Sequence, residues 1–370
     1  MKNLFKALSI VLFGVLIFSC SDDDDNIDYN KLGEGEIEIK GYPGEDNRIS
    51  FVVAAAKITI DWGDGSVDEL TPNGVEREFV HEYTNRDFRT IKINARAMTH
   101  TKFRNTKGTY NELKFGDCPD LEEINASAGR LTVLSIESAP ALKRLECDGN
   151  QLATLDVSGC AKLTYLNCNG NQLASLNIRG CTALTELHCD SNQLTELDAS
   201  GCAELTSLSC YRNQLASLNI SGCTALTYLG CSGNQLTELD ASGCAKLTNL
   251  DCYRNLLTSL DVSGCTKLTN MNCSDNSLAS LDLSECTELT VLSCSYNQLT
   301  SLDVNECEVL MTLSCSNNRL TVESLNSLFN TLNEHPYPYG KEIYIHGNPG
   351  AGTCDKSIAT NKGWTVYNYY

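Results

Sequence analysis

Between Leu113 and Leu320 one apolar spacing returns every 21 residues, and little else in the chain constrains its fold as much. The unit is L-x-x-L-x-C-x-x-N-x-L-x-x-L-[DN]-x-x-x-C-x-x. It runs from Leu121-x-x-Ile124-x-Ala126 through ten turns to Leu310-x-x-Leu313-x-Cys315. Each unit offers a short strand, x-L-x-C-x, then a turn and a second extended stretch such as "LTSLDVS". Neither stretch can bury its apolar side alone, so the units must stack into a solenoid with one continuous core.

Two cysteine columns follow from the period. One runs Cys147, Cys168, Cys189, Cys210, Cys231, Cys252, Cys273, Cys294, Cys315; the other Cys160, Cys181, Cys202, Cys223, Cys244, Cys265, Cys286, Cys307, with Cys118 one phase earlier and Ala139 filling the gap. Stacked cysteines lie about 4.8 Å apart with parallel Cα–Cβ bonds. A disulfide wants its Cβ atoms at about 3.8 Å and turned toward each other. Zinc needs ligands that converge, whereas these advance along a line. Packing remains: a free thiol acts as a small hydrophobe where a tight turn has no room for leucine. The pattern is a leucine-rich repeat, and the cysteine column resembles the ladder of the internalin J type, found in bacterial surface adhesins with 21-residue repeats. The resemblance covers roughly Leu113 to Leu320.

An asparagine column, Asn150 to Asn318, sits where each strand turns, and its amides are expected to satisfy backbone groups of adjacent loops. A second polar column reads Asp156, Asn177, Asp198, Asn219, Asp240, Asp261, Asp282, Asp303. Between a cation-binding stripe and a solvated acidic flank, the flank is the reading adopted.

The chain opens "MKNLFKALSIVLFGVLIFSC": Lys2 and Lys6, then a short apolar run from Leu8 to Phe18, which reads as an export signal. Ile17-Phe18-Ser19-Cys20 resembles the lipobox of bacterial lipoproteins, implying cleavage before Cys20 and its acylation. The "SDDDDN" that follows is an extended acidic linker, residues 21–32, and resembles the export tag of surface lipoproteins in some Gram-negative anaerobes. From 33 to 112 the pattern alternates with period two in "EIEIKGY", "RISFVVAA", "KITIDW", "REFVHEY" and "RTIKINA", the mark of a small β-sandwich. Asp61-Trp62-Gly63-Asp64-Gly65-Ser66 with His81-Glu82-Tyr83 resembles a PKD-like domain of immunoglobulin fold, with the tryptophan displaced into the turn motif. Asp61 and Asp64 offer oxygens for calcium, but their spacing fits no EF-hand loop, so a plain turn is expected.

After Leu320 the register stops. "TVESLNSLFNTLNE" reads as an amphipathic helix burying Leu325, Leu328, Phe329 and Leu332. "KEIYIHGNPG" reads as strand and turn, "CDKSIATNKG" as a short helix and "WTVYN" as a last strand. Residues 321–370 would then form an α/β cap over the last rung, with Cys354 in its packing. The expected architecture is mainly β: an immunoglobulin-like sandwich, about ten leucine-rich units over 113–320, and the cap.

With a net charge of −19, phosphate backbones are repelled, so nucleic acid is not expected as a partner. The five histidines, His81, His100, His188, His335 and His346, accompany no nucleophile motif or metal-ligand pair, so neither an enzyme, a metal nor a cofactor is expected. In leucine-rich folds the residues flanking the buried Leu and Cys point outward on the concave face. Here these are Arg144, Tyr165, His188, Tyr211, Arg212, Tyr228, Tyr253, Arg254 and Tyr296. Tyrosine and arginine are favoured interface anchors, although tyrosine also favours strands for their own sake. The reading is a monomeric, lipid-anchored protein on the outer membrane of a Gram-negative bacterium. It would bind a protein of host or bacterial surface through that face, or alternatively a polysaccharide.

Overall fold

The computed structural model describes residues 13–14, 35–103, 109–334 and 340–369. Apart from residues 13–14, the expected leader with Cys20 and the linker 21–32 lie outside the described residues, as does His335. The chain divides into two compact units, Met1–Leu194 and Thr195–Tyr370.

In the first unit, one sheet runs in the order Val133–Ser138, Thr109–Asp117, Glu36–Tyr42, Arg89–Arg96, Lys57–Asp61, Val67–Leu70. The other runs Glu76–Glu82, Arg48–Ala54, His100–Lys102, Glu123–Asn125, Arg144–Glu146, Tyr165–Asn167, Glu186–His188. Alternation in the sequence becomes alternation of burial, with Ile37, Ile39, Ile58, Ile60, Ile91 and Ile93 fully inside. Phe51 joins the two sheets, its ring 5.5 Å from Trp62 and 6.2 Å from Phe103.

Each sheet begins antiparallel and turns parallel. Thr109–Asp117 pairs antiparallel with Glu36–Tyr42 and parallel with Val133–Ser138. His100–Lys102 does the same between Arg48–Ala54 and Glu123–Asn125. The N-terminal sheets therefore run directly into the first rungs, and the boundary expected at residue 112 falls inside a strand. The edge of each antiparallel sheet supplies the backbone partners that a first rung lacks.

The Asp-Trp-Gly-Asp-Gly-Ser segment is a turn whose carboxylates bind the chain itself. Asp61 accepts from the Gly63 amide at 2.9 Å; Asp64 accepts from the Ser66 hydroxyl and amide and contacts His81 Nε2 at 2.8 Å. The Ser66 hydroxyl, helped by His81, holds the Asp64 carboxyl down at about 2. Gly63 is required here: its φ is +74°, and a Cβ would lie 2.2 Å from the Thr90 carbonyl oxygen.

Four parallel rung strands stand in the first unit, from Glu123–Asn125 to Glu186–His188. Eight stand in the second, from Ser207–Ser209 to Thr365–Tyr367. The fold is thus a mainly β, leucine-rich-repeat-like solenoid of about twelve turns, two more than the sequence count. From Glu123–Asn125 to Glu342–Tyr344 the central residue of each rung strand, most often leucine, is buried, and so is every one of the nineteen described cysteines, none of them in a disulfide. Burial pushes the thiols up, to about 11 in Cys160 and Cys307 and to about 12 in Cys168, Cys223, Cys265 and Cys315.

The asparagines bind rung to rung. Asn255 Oδ1 accepts from the Leu236 amide of the preceding rung at 3.1 Å, while Nδ2 donates to the carbonyls of Cys231 and Cys252. Asn348 repeats this arrangement for Leu320 and Cys315, so the column extends beyond the regular repeats. Asp156, Asp198, Asp240, Asp261, Asp282 and Asp303 each accept from the amide two residues on, which makes the second polar column a series of turn caps.

A longer period of 42 residues lies over the 21. The second extended stretches pair in twos: Thr154–Asp156 with Ser175–Asn177, Glu196–Asp198 with Ser217–Asn219, Glu238–Asp240 with Ser259–Asp261. The second member of each pair ends in a left-handed glycine, Gly180, Gly222 or Gly264, whose carbonyl accepts from the following Thr182, Thr224 or Thr266 amide at 2.8 Å. In the same rungs Cys181, Cys223 and Cys265 donate their thiols to carbonyls of the preceding rung at 3.2–3.3 Å. First members have alanine after the cysteine, Ala161, Ala203 and Ala245.

At the C-terminus Thr321 caps the helix Val322–Thr331, accepting from the Ser324 amide, and Leu325, Leu328, Phe329 and Leu332 are buried. Glu342–Tyr344 and Thr365–Tyr367 add two parallel strands beyond Thr312–Ser314. Among the described residues no helix is long and apolar enough to cross a membrane.

Candidate ligand-binding face

Side chains that alternate with the buried leucines project from the outer face of the rung strands. In the first unit, register places Arg144, Tyr165 and Glu186 in one row and Glu146, Asn167 and His188 in the next. The Arg144 guanidinium sits 3.7 Å over the Tyr165 ring, and its Nε donates to Glu146 at 2.6 Å. The Tyr165 ring lies 5.6 Å from that of His188, whose Nε2 is 3.6 Å from Glu186. Three of the nine expected residues, Arg144, Tyr165 and His188, are thus brought together as one stacked group flanked by Glu146 and Glu186.

In the second unit Tyr228 also stands on a strand. Tyr211, Arg212, Tyr253, Arg254 and Tyr296 do not: they lie in the turn that follows the column cysteine. Arg212, Arg254 and Tyr296 have φ of 52°, 55° and 54°. The chain must reverse within two residues of the cysteine for the asparagine to reach back, and that reversal needs a left-handed residue. Equivalent positions hold Gly149, Gly170 and Gly233, but also Ser191, Asp275 and Asn317.

Tyr211 lies back over the next rung. Its ring occupies the space a Cβ on Gly230 would fill, 2.3 Å from that position, and its hydroxyl meets the Tyr228 hydroxyl. Tyr211 is therefore half-buried against its own protein, whereas Tyr253 and Tyr296 are 37% and 51% exposed. Arg254 lies 5.8 Å from the Tyr253 ring centre and 3.4 Å from Asp275.

Sequence reasoning missed Tyr344 and Tyr367. Their rings stack at 4.8 Å and 13°, and both hydroxyls donate to Glu342, at 2.7 and 3.3 Å. The bond to Glu342 raises the Tyr344 phenol above its ordinary range. Their alternation in "EIYIH" and "WTVYN" was readable, but the rung spacing changes from 21 to 30 residues and then 23, which hid their place on the same sheet.

On the side of the short paired strands, Glu238, Asp240, Asp261, Asp282 and Glu285 line an open groove of about 740 Å³. Asp240, Asp261 and Asp282 are occupied as turn caps. Among the described residues no three acidic, histidine or cysteine side chains converge on a metal position.

No protein-family model matches the chain, and no curated protein matches it. Among solved structures, the functional domain of InlJ from Listeria monocytogenes, which includes a cysteine ladder, is 35% identical, with a TM-score of 0.49; the match covers 59% of this chain and 48% of that one. YopM from Yersinia enterocolitica is 24% identical, with a TM-score of 0.46, over 65% of this chain and 55% of that one. The chain spans about half the length of these two.

Proposed function

We propose that the protein is a non-enzymatic, monomeric surface binding protein, an adhesin or receptor, that engages a protein ligand through the outer face of its rung strands and the turns beside it. The observation that carries this reading is the exposure of Tyr253 and Tyr296 along the same series of turns that presents Arg212 and Arg254. Large side chains in left-handed turns are disfavoured, and the glycine at Gly233 serves the same turn without one. Tyrosine and arginine in such positions are the residue types that dominate interfaces. A polysaccharide ligand is the alternative, favoured by the Tyr344–Tyr367 stack and its carboxylate.

Within this proposal Cys20 carries the lipid that holds the chain to an outer membrane facing outward. Residues 21–32 tether it, the PKD-like sandwich of immunoglobulin fold spaces the repeats from the bilayer, and residues 321–370 cap them. The purified chain is probed against arrays of surface proteins and of glycans. A protein ligand whose binding falls at least tenfold in the variant Tyr253→Ser, Tyr296→Ser supports the reading; glycan signals alone reject it. In cells, Cys20→Ala should release the protein from membranes, and unchanged membrane fractionation with the leader removed would reject the anchor.

A further inference from the structure

The large left-handed residues of the second unit recur at a fixed interval. Arg212, Arg254 and Tyr296 stand 42 residues apart, all exposed, while the turns between them hold Gly233 and Asp275. The interval equals the two-rung period of the fold, so these side chains form a row along the turn edge of the sheet at every second rung. Rungs about 4.8 Å apart set the pitch of the row at about 9.6 Å. Three residues of polyproline II advance about 9.3 Å and complete one turn, so every third side chain returns to the same side. A β-extended peptide returns a side chain to the same side every two residues, about 6.8 Å, and would fall out of step.

The chemistry of the row narrows the ligand further. Arg212 has no ion-pair partner among the described residues, and Arg254 holds Asp275 through an exposed contact that a better carboxylate can replace. Guanidinium groups favour carboxylates held in a fixed geometry. The exposed rings of Tyr253 and Tyr296 offer the aromatic faces on which proline docks. In a chain of net charge −19 these arginines are a local exception that an acidic partner would seek.

We infer that this row binds a polyproline II segment of a protein partner with an acidic residue at every third position, running across the rungs from Arg212 to Tyr296. The inference rests on the protein-ligand reading above.

The test uses the full chain and synthetic peptides of about fifteen residues. One repeats Pro-Pro-Glu, one repeats Pro-Pro-Lys, one has the first peptide's composition with all its glutamates in one block, and an oligogalacturonate serves as glycan control. The repeating Pro-Pro-Glu peptide should bind at least tenfold tighter than the lysine peptide and several-fold tighter than the block peptide. The variant Arg212→Gly, Arg254→Gly should lose at least tenfold affinity with no fall in thermal midpoint, because glycine suits these turns. Absence of peptide binding, or binding indifferent to phase or to the double variant, overturns the inference. If an array-identified protein still binds the double variant fully, the row is wrong and the protein-ligand reading stands. If oligogalacturonate alone binds and the variant abolishes it, both fall.

Discussion

At the scale of single residues, the asparagine column carries more of the fold than its size suggests. Asn255 satisfies one amide and two carbonyls in two successive rungs, all buried. Asn255→Ala should therefore lower stability by roughly 1–3 kcal/mol, the cost of buried groups left without partners. Asn255→Asp should be at least as damaging, because a carboxylate faces two carbonyls that were accepting. Urea denaturation of the two variants checks this, and a loss under about 0.5 kcal/mol, as for an exposed substitution, would show that water replaces the amide. These columns were legible in the sequence because their 21-residue spacing fixes phase without any knowledge of the backbone. The left-handed turn beside them was not legible. Glycine marks it at Gly149, Gly170 and Gly233, but Ser191, Arg212, Asp275 and Tyr296 carry no such mark, so Tyr211-Arg212 and Tyr253-Arg254 read as strand.

At the scale of elements, the repeating unit is a pair of rungs. From Cys160 to Cys265 alanine-type and threonine-type rungs alternate, and the second of each pair carries the left-handed glycine turn together with a thiol donated to the preceding rung. A deletion should respect that alternation. Removing residues 213–254 joins an alanine-type rung to a threonine-type one, whereas removing 213–233 places two alanine-type rungs together. Stability in such arrays is a sum of unit and neighbour terms, so the longer deletion should melt closer to the parent than the shorter one. Thermal unfolding followed by circular dichroism decides; a higher midpoint for the shorter deletion would mean that the two rung types are interchangeable. The helix Val322–Thr331 and the strands after it were legible from periodicity alone. Their continuation of the parallel sheet was not, since pairing depends on distant residues that a single strand's pattern does not contain. The same holds at the N-terminus, where His100–Lys102 pairs forward with Glu123–Asn125.

At the scale of the whole molecule, the thiols set a limit on alkaline stability. A cysteine in the unfolded chain ionises near pH 8.5 (about the ordinary value), while in the fold burial holds Cys168, Cys223, Cys265 and Cys315 at about 12. The folded form keeps its protons where the unfolded form loses them. Its stability is thus complete below about pH 8.5 and falls as pH rises toward the folded values, by about 1.4 kcal/mol per thiol per pH unit. Several thiols acting together would exhaust an ordinary stability of about 5–15 kcal/mol within one or two units. The reduced protein should therefore unfold cooperatively between about pH 9 and 11, and a chain that is still folded at pH 11 with its thiols already ionised would overturn this account. The same burial puts a clock on biosynthesis. A rung hides its sulfurs only when the next closes over it, so the order of docking is also the order in which the chain becomes immune to oxidants. Until then every emerging cysteine is an ordinary nucleophile, and in an oxidising compartment a slow rung invites mispairing with whichever thiol came before it. For such a chain, speed of assembly is a condition of reaching the native state at all.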